Sequence, residues 1–92
     1  MLFIALAEDK ANSLEVRLSN RESHIEYVTS QPDMLAQAGP LLNEATGDPT
    51  GTVLIVEAES IAEAKSYVSG DPYIEAGLFD GYKVYAWNKT IG

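Results

Sequence analysis

The stretch TVLIVEAESIAEAKSYVSGDPY, residues 52–73, holds a strand, a helix and the end of that helix in direct succession. TVLIVEAE (52–59) is rich in β-branched and apolar residues with little alternation, which predicts a strand buried on both faces. SIAE (60–63) matches the S-x-x-E capping box and predicts a helix that runs to about Ser69. A strand that leads straight into a helix indicates a compact α+β unit.

The end of this helix places a carboxylate, Asp71, between a helix stop and a proline. Gly70 is typical of the left-handed residue that follows a helix, and Pro72 prevents the helix from continuing. An aspartate before a proline often accepts hydrogen bonds from nearby backbone N–H groups. Asp71 is therefore a turn-forming residue, part of a site, or both, since the two roles are compatible.

The start of the chain repeats the pattern of a strand followed by a capping box. MLFIALAE (1–8) is a continuous apolar run and predicts a central strand. SNRE (19–22) is a second S-x-x-E, so a helix is predicted from Asn20 to about Ser30, before Pro32.

Two further strands complete the pattern. Residues 34–43 predict a strand in which Gly39 and Pro40 mark a bulge or a sheet edge, because proline cannot donate to a central ladder. Residues 81–88 alternate and predict the last strand. A turn cluster at 44–51 and a loop or single turn at 73–79 lie between these elements.

The element order is β-α-β-β-α-β over a single domain, residues 1–92. This is the ferredoxin-like pattern, an antiparallel sheet with both helices on one face. Right-handed crossovers predict the sheet order 4-1-3-2. The other face carries apolar side chains from strands 1 and 3. Because 46% of this small chain is hydrophobic, we expect a second subunit to cover that face in a homodimer.

Composition restricts the classes of function. The net charge of −8 argues against nucleic acid and anionic membrane surfaces as partners. The absence of cysteine excludes thiolate chemistry, and a single histidine is a poor basis for a metal site. No nucleotide-binding motif is present, so no cofactor is expected. No stretch has the length of a membrane span and no secretory signal is visible, so the expected location is cytoplasmic. The expected ligand is a small molecule.

The predicted topology places the only histidine near Asp71. His24 lies early in the first helix, which starts at the end of the domain where the second helix finishes. A carboxylate beside an imidazole fixes its tautomer and favours the imidazolium form, which gives a general acid or base with an orienting partner. We therefore take His24 and Asp71 as candidate catalytic residues. A solvated helix histidine and a purely turn-forming aspartate are the alternatives.

Six further residues are candidates for binding a substrate. An arginine in a pocket suits an anionic or oxygen-rich ligand, although surface ion pairs with Glu15, Glu22 or Glu26 are the alternative for both arginines. Nothing in the spacing marks either serine near His24 as a nucleophile. Gly39 and Pro40 shape a bend in the predicted strand 34–43 or give backbone access to a pocket. Tyr73 belongs to the core, to an interface or to a cavity wall. The set is Arg17, Ser19, Arg21, Gly39, Pro40 and Tyr73.

The same residues carry a resemblance to a known family. SLEVRLSNRESH (13–24), AQAGP (36–40), ESIAEAKSYVSGDPY (59–73) and GLFDGYKVYAW (77–87) resemble the YciI-like, or YCII-related, proteins, and the resemblance extends from residue 1 to about residue 88. Its specific elements are R-x-x-H at Arg21 and His24, A-G-P at 38–40 and D-P-Y at 71–73. The turn at 44–51 departs from the family in being shorter and more acidic, so the pocket wall is expected to differ there.

This resemblance implies a dimeric α+β barrel, in which the two sheets face each other, and an active site of a histidine and an aspartate, here His24 and Asp71. Lyase or dehydrochlorinase-type chemistry on hydroxylated aromatic rings is associated with part of the family. The wider superfamily includes muconolactone isomerases and cofactor-free monooxygenases.

Three functions remain open from the sequence. The first is a small cofactor-free enzyme of lyase or isomerase type in which His24 moves a proton, Asp71 orients it and Arg21 holds an anionic group. The second is a non-catalytic dimeric module that binds a small molecule or serves as an accessory subunit. The third is a cofactor-free oxygenase, which rests on fold analogy alone.

Overall fold

The computed structural model describes all 92 residues of the chain. Its elements are β1 (Leu2–Asp9), α1 (Leu14–Thr29), β2 (Leu35–Leu42), β3 (Pro49–Glu57), α2 (Ile61–Ser69), α3 (Pro72–Glu75) and β4 (Phe79–Trp87). The strands form one antiparallel sheet in the order β2-β3-β1-β4. The ferredoxin-like fold class and the sheet order 4-1-3-2 are thus confirmed, and the predicted loop or single turn after α2 contains the one-turn helix α3.

The core lies between the sheet and the two long helices. Apolar side chains of β1 and β3 pack there against α1 and α2, because alternate strand residues point to the same face. The buried residues that form this cluster include Phe3, Ala5, Leu54, Val56, Val28 and Tyr67. None of the three helices is long and apolar enough to cross a membrane.

The opposite face of the sheet remains open. Register places Ile4 of β1 between Ile55 of β3 and Tyr85 of β4, so these side chains share that face. On the same face, Tyr85 is 48% exposed and Trp87 is 36% exposed. This is the apolar sheet face that the sequence analysis expected a second subunit to cover.

The start of α1 differs from its prediction. The helix begins at Leu14 rather than near Asn20, and Ser19 lies inside it with no capping role. Ser13 is the N-cap residue, although its hydroxyl donates to the carbonyl of Ala11 instead of capping the helix. The longer helix places Arg17 on the same face as His24, two turns before it, where the guanidinium gains hydrogen bonds to Asp9 and Thr52. The capping box at Ser60 is real, since its hydroxyl accepts the N–H of Glu63 at 3.1 Å.

The prediction of a left-handed Gly70 is wrong. Its φ is −84°, an ordinary right-handed helical value. The reason for glycine is a close approach, because a Cβ atom at this position would collide with the hydroxyl end of Tyr27. Positive φ values occur instead at Gly47, Gly77 and Gly92, and Gly77, with φ 71°, follows the C-cap residue of α3.

The strand predicted at residues 34–43 lies at the sheet edge, one of the two positions that Gly39 and Pro40 indicated. β2 pairs only with β3, so the missing N–H of Pro40 interrupts no central ladder. Register irregularities occur on both sides of these residues, between Leu35 and Gln37 and between Leu41 and Leu42. A gap between this edge strand and α1 is lined by residues of both elements.

Candidate active site

A pocket of about 490 Å³ occupies the gap between α1 and the edge strand β2. That volume lies within the range of small-molecule sites. One face of α1 supplies Arg17, Arg21 and His24, whose spacing of three to four residues keeps them on one side of the helix, and the adjacent Ile25 also lines the pocket. The opposite wall is formed by residues 35–40 of β2, and the inner end by Thr52 and Tyr73.

His24 and Asp71 are in direct contact within this pocket region. Nδ1 of the imidazole lies 2.8 Å from both carboxylate oxygens, and only 8% of His24 and 1% of Asp71 are exposed. The packing of α3 against α1 brings the two residues together across 47 positions of sequence. Asp71 also caps α3, because its Oδ1 accepts the N–H of Tyr73 at 2.9 Å. Asp71 therefore forms the turn and also contacts His24, whereas its part in a catalytic site stays a prediction.

The contact with Asp71 determines which imidazole nitrogen faces the pocket. A carboxylate only accepts hydrogen bonds, so Nδ1 carries the proton that it donates to Asp71. Nε2 makes no hydrogen bond to the protein, and no buried side-chain polar atom of the structure lacks a partner. Nε2 is therefore open to the pocket, as an acceptor in the neutral ring and a donor in the charged one.

Tyr73 holds the imidazole plane in place. Its ring stacks on His24 with centroids 4.0 Å apart and an angle of 11° between the planes. The guanidinium carbon of Arg17 lies 4.7 Å from the centre of the same ring, and Phe79 meets its edge. Burial raises the pKa of the Tyr73 hydroxyl, and the positive charge of Arg17 only partly opposes this. Tyr73 is thus a neutral, rigid wall beside the imidazole.

Arg17 is fixed by partners that the sequence analysis did not identify. Its Nε and Nη2 donate to the two carboxylate oxygens of Asp9 at 2.7 and 2.9 Å, and Nη2 also donates to the hydroxyl of Thr52 at 2.7 Å. Burial works to lower the pKa of this guanidinium, but the hydrogen bonds and the charge of Asp9 outweigh it and raise the pKa above its ordinary value. Arg17 is a permanent cation in a buried bidentate pair.

The surface ion pairs considered for the two arginines do not form. Arg17 is buried against Asp9, and Arg21 makes no ion pair with Glu15, Glu22 or Glu26. Arg21 is exposed and lines the pocket. In the sequence, Asp9 is visible only as an acid at the end of a buried strand, and Thr52 only as a polar residue within another strand. Such residues gain meaning only when both strands are placed beside α1.

The remaining candidates divide into two groups. Gly39 and Pro40 line the pocket from β2, as their position in the sequence allowed. Ser19 does not: it is exposed on another face of α1, two positions away from Arg17 and therefore about 200° around the helix. The chain contains no group of three or more histidine, aspartate or glutamate side chains that could hold a metal ion.

Comparisons with known proteins agree with the family resemblance. The family model of the YCII-related domain matches residues 1–88. Protein YciI of Escherichia coli is 36% identical over an alignment of 98 positions, which covers 99% of this chain and 100% of the relative. The protein of the same name from Shigella flexneri gives the same values.

Solved structures give a more detailed comparison. The 5-chloro-2-hydroxyhydroquinone dehydrochlorinase of Burkholderia phenoliruptrix, solved in complex with 2,5-dihydroxybenzoquinone, is similar with a TM-score of 0.89 and 39% identity, over 96% of this chain and 94% of its own. An antibiotic biosynthesis monooxygenase has a TM-score of 0.59 at 16% identity, over 99% of this chain and 100% of its own, which is a likeness of fold alone.

Proposed function

The chain belongs to the YCII-related family, and we propose that it is a small enzyme that works without a cofactor. From the geometry of its pocket, we infer that it performs general acid–base chemistry on a hydroxylated aromatic molecule. The observation that carries the proposal is the arrangement of His24, with Nδ1 bound by a buried carboxylate and Nε2 open to a pocket of suitable size. The similar dehydrochlorinase, whose bound ligand is a hydroxylated quinone, indicates the class of substrate.

His24 is the proposed proton carrier. In the neutral ring Nε2 accepts a proton from a phenolic hydroxyl, and the carboxylate of Asp71 stabilises the imidazolium that forms. The same nitrogen then returns the proton at a later step. The stack on Tyr73 keeps Nε2 in one direction during this exchange.

The reaction class that this proton carrier supports is an elimination or isomerisation on the ring. In an elimination, two phenolic protons leave, one ring carbon takes up a proton, and a leaving group on that carbon departs with its bonding electron pair. The net change is the loss of HX and the formation of a quinone. The leaving group takes the two electrons, so no separate oxidant enters the balance.

The other pocket residues have proposed roles in binding. Arg21 provides a positive charge at the mouth, and Arg17 and Tyr73 form the polar inner wall. Gly39 and Pro40 supply a backbone wall without bulky side chains, opposite His24. Ser19 has no role in this proposal, because it lies outside the pocket.

We further propose that the enzyme is a homodimer joined through the open sheet face. The half-exposed apolar side chains of that face include Leu6, Tyr85 and Trp87. An apolar patch of this extent is typical of an interface. The pocket lies on the helix side of the sheet, so a partner on the open face leaves it accessible.

The direct test uses turnover of a chlorinated hydroxyhydroquinone, followed by chloride release and quinone absorbance. We expect His24→Ala to lower kcat by about 10²–10⁴-fold, the range typical of a lost general acid or base. Ser23→Ala is the matched control, because Ser23 is the exposed neighbour of His24 and is not among the residues that line the pocket. Circular dichroism should show the same fold for both variants. Turnover retained in His24→Ala would exclude the proposed mechanism, and binding without conversion by the wild type would favour a binding module.

A further inference from the structure

The pocket is positively charged in a chain that is strongly negative. The net charge is −8, yet no aspartate or glutamate is among the residues that line the pocket. Arg17 and Arg21 are the only arginines of the sequence, and both line it. The four lysines all lie elsewhere. This distribution indicates a ligand that carries negative charge.

Pairing within the site leaves one of these charges without a counter-ion. Arg17 is neutralised by the carboxylate of Asp9 at 2.7 Å, and the imidazole of His24 has Asp71 at 2.8 Å. Arg21 forms no salt bridge, and the third ion pair of the structure joins the N-terminus to Glu57, elsewhere in the fold. The guanidinium of Arg21 is therefore the uncompensated charge at the pocket mouth.

The position of Arg21 relative to His24 restricts the shape of the anion. The two residues are three positions apart on α1, so they are neighbours on one face of the helix, about 4.5 Å apart along its axis. Arg21 lines the same pocket as His24, and its positive charge also acts on Tyr73, which stacks on the imidazole. Because this charge has no counter-ion, it suits a second, permanently charged group on a small ring bound at Nε2.

We infer that the substrate class is a hydroxylated aromatic carboxylate, with the carboxylate on Arg21 and a ring hydroxyl at Nε2 of His24. The planar guanidinium matches a carboxylate with two parallel hydrogen bonds. Ile25 of α1 and Pro40 of β2 supply apolar surface for the ring between the two polar ends. This inference rests on the proposed function and narrows its substrate from hydroxylated aromatic molecules in general to hydroxylated aromatic carboxylates.

Binding rather than turnover tests the inference, so its failure is distinct from failure of the catalytic proposal. The probes are 2,5-dihydroxybenzoate and 1,4-dihydroxybenzene, which differ by the carboxylate. Affinity is measured by calorimetry, and the ring signals of the single histidine report whether the probe occupies this pocket. We expect the carboxylate probe to bind at least tenfold more tightly to the wild type.

The variants separate the role of Arg21 from a general effect of charge. Arg21→Gln should lose about tenfold in affinity for dihydroxybenzoate and leave the affinity for dihydroxybenzene unchanged, and Arg21→Lys should lose less. Lys65→Gln makes the same change in net charge at an exposed position outside the pocket and should bind both probes as the wild type does. Equal affinity of the wild type for the two probes, or an unaltered affinity of Arg21→Gln for the carboxylate, would overturn the inference whatever the turnover of the His24 variant.

Discussion

At the scale of single residues, Asp71 connects the fold to the chemistry proposed for it. One carboxylate oxygen accepts the N–H of Tyr73 and starts α3, and both oxygens lie 2.8 Å from Nδ1 of His24. The turn at Asp71 thus fixes the position of the carboxylate that contacts His24, 47 positions away in sequence. Replacement of the carboxylate by an amide separates these two roles, because an amide oxygen can still cap the helix.

Asp71→Asn should change the tautomer of His24 while the fold persists. The amide presents N–H groups where Asp71 offered a second oxygen, so the ring loses its preference for a proton on Nδ1. We expect the ¹⁵N shifts of the imidazole at alkaline pH to show the Nδ1–H tautomer in the wild type and a smaller share of it in the variant. Turnover of a proton-transfer substrate should fall by about 10²-fold or more.

Asp33→Asn is the control for that substitution, because it removes an exposed carboxylate and should leave the imidazole spectrum unchanged. A dominant Nδ1–H form in both wild type and Asp71→Asn would mean that the carboxylate does not set the tautomer. The orienting role of Asp71 would then have to be abandoned.

The candidate site could be predicted where its residues have local signals or family motifs. D-P-Y and R-x-x-H are short patterns, and topology placed both at one end of the domain. Asp9 and Thr52 had no such signal, because their importance depends on the side chain of Arg17 reaching between two strands. Ser19 is close to His24 in sequence, but helical geometry turns it away from the pocket.

At the scale of elements, two tyrosines join α1 to α2 just before Asp71. The Tyr27 hydroxyl donates to the carbonyl of Tyr67 at 2.7 Å, and the Tyr67 hydroxyl donates to the carbonyl of Val28 at 2.6 Å. Burial raises the pKa of Tyr67 to about 12, so its hydroxyl remains a donor at neutral pH. The two hydrogen bonds fix the end of α2, and with it the start of the segment that carries Asp71.

Gly70→Ala should destabilise the protein by about 1–3 kcal/mol through overpacking, because the added methyl group meets the end of Tyr27. Urea unfolding measures the loss. Tyr27→Phe removes the closest atom and the hydrogen bond that holds the ring, so the double variant should be less destabilised than additivity predicts, by about 0.5 kcal/mol or more. Gly81→Ala is the matched control, since no atom lies near its added methyl group. Strict additivity of the two changes would show that Tyr27 is not what requires glycine.

The element boundaries show why sequence patterns gave the right elements with some wrong ends. The S-x-x-E pattern marks a helix start at Ser60 but not at Ser19, although the motif is the same. The difference lies outside the motif, because the first turn of α1 carries Arg17, whose guanidinium binds Asp9 and Thr52. Likewise, Gly70 follows a helix as expected, but its cause is a tyrosine 43 positions earlier rather than its backbone conformation.

At the scale of the whole molecule, the sheet divides two tasks between its faces. The helix side holds the core and the pocket, and the open side presents apolar residues to solvent. The sheet order could be predicted because chirality and connection lengths leave few arrangements of four strands and two helices. The need for a cover followed from the same topology.

The dimer proposal makes a prediction at the centre of the open face. Ile55 is paired in register with Ile4, and Ile4 is paired on its other side with Tyr85. Ile55→Glu would therefore place a charge in the middle of the interface at a high desolvation cost. Sedimentation velocity should show a dimer for the wild type and a monomer for Ile55→Glu. Ile61→Glu makes the same change at a 40% exposed isoleucine of α2 and should remain dimeric. A monomeric wild type, or a dimer that survives Ile55→Glu with its affinity intact, would place the interface elsewhere or remove it, because an uncompensated carboxylate is not tolerated at the core of an apolar interface.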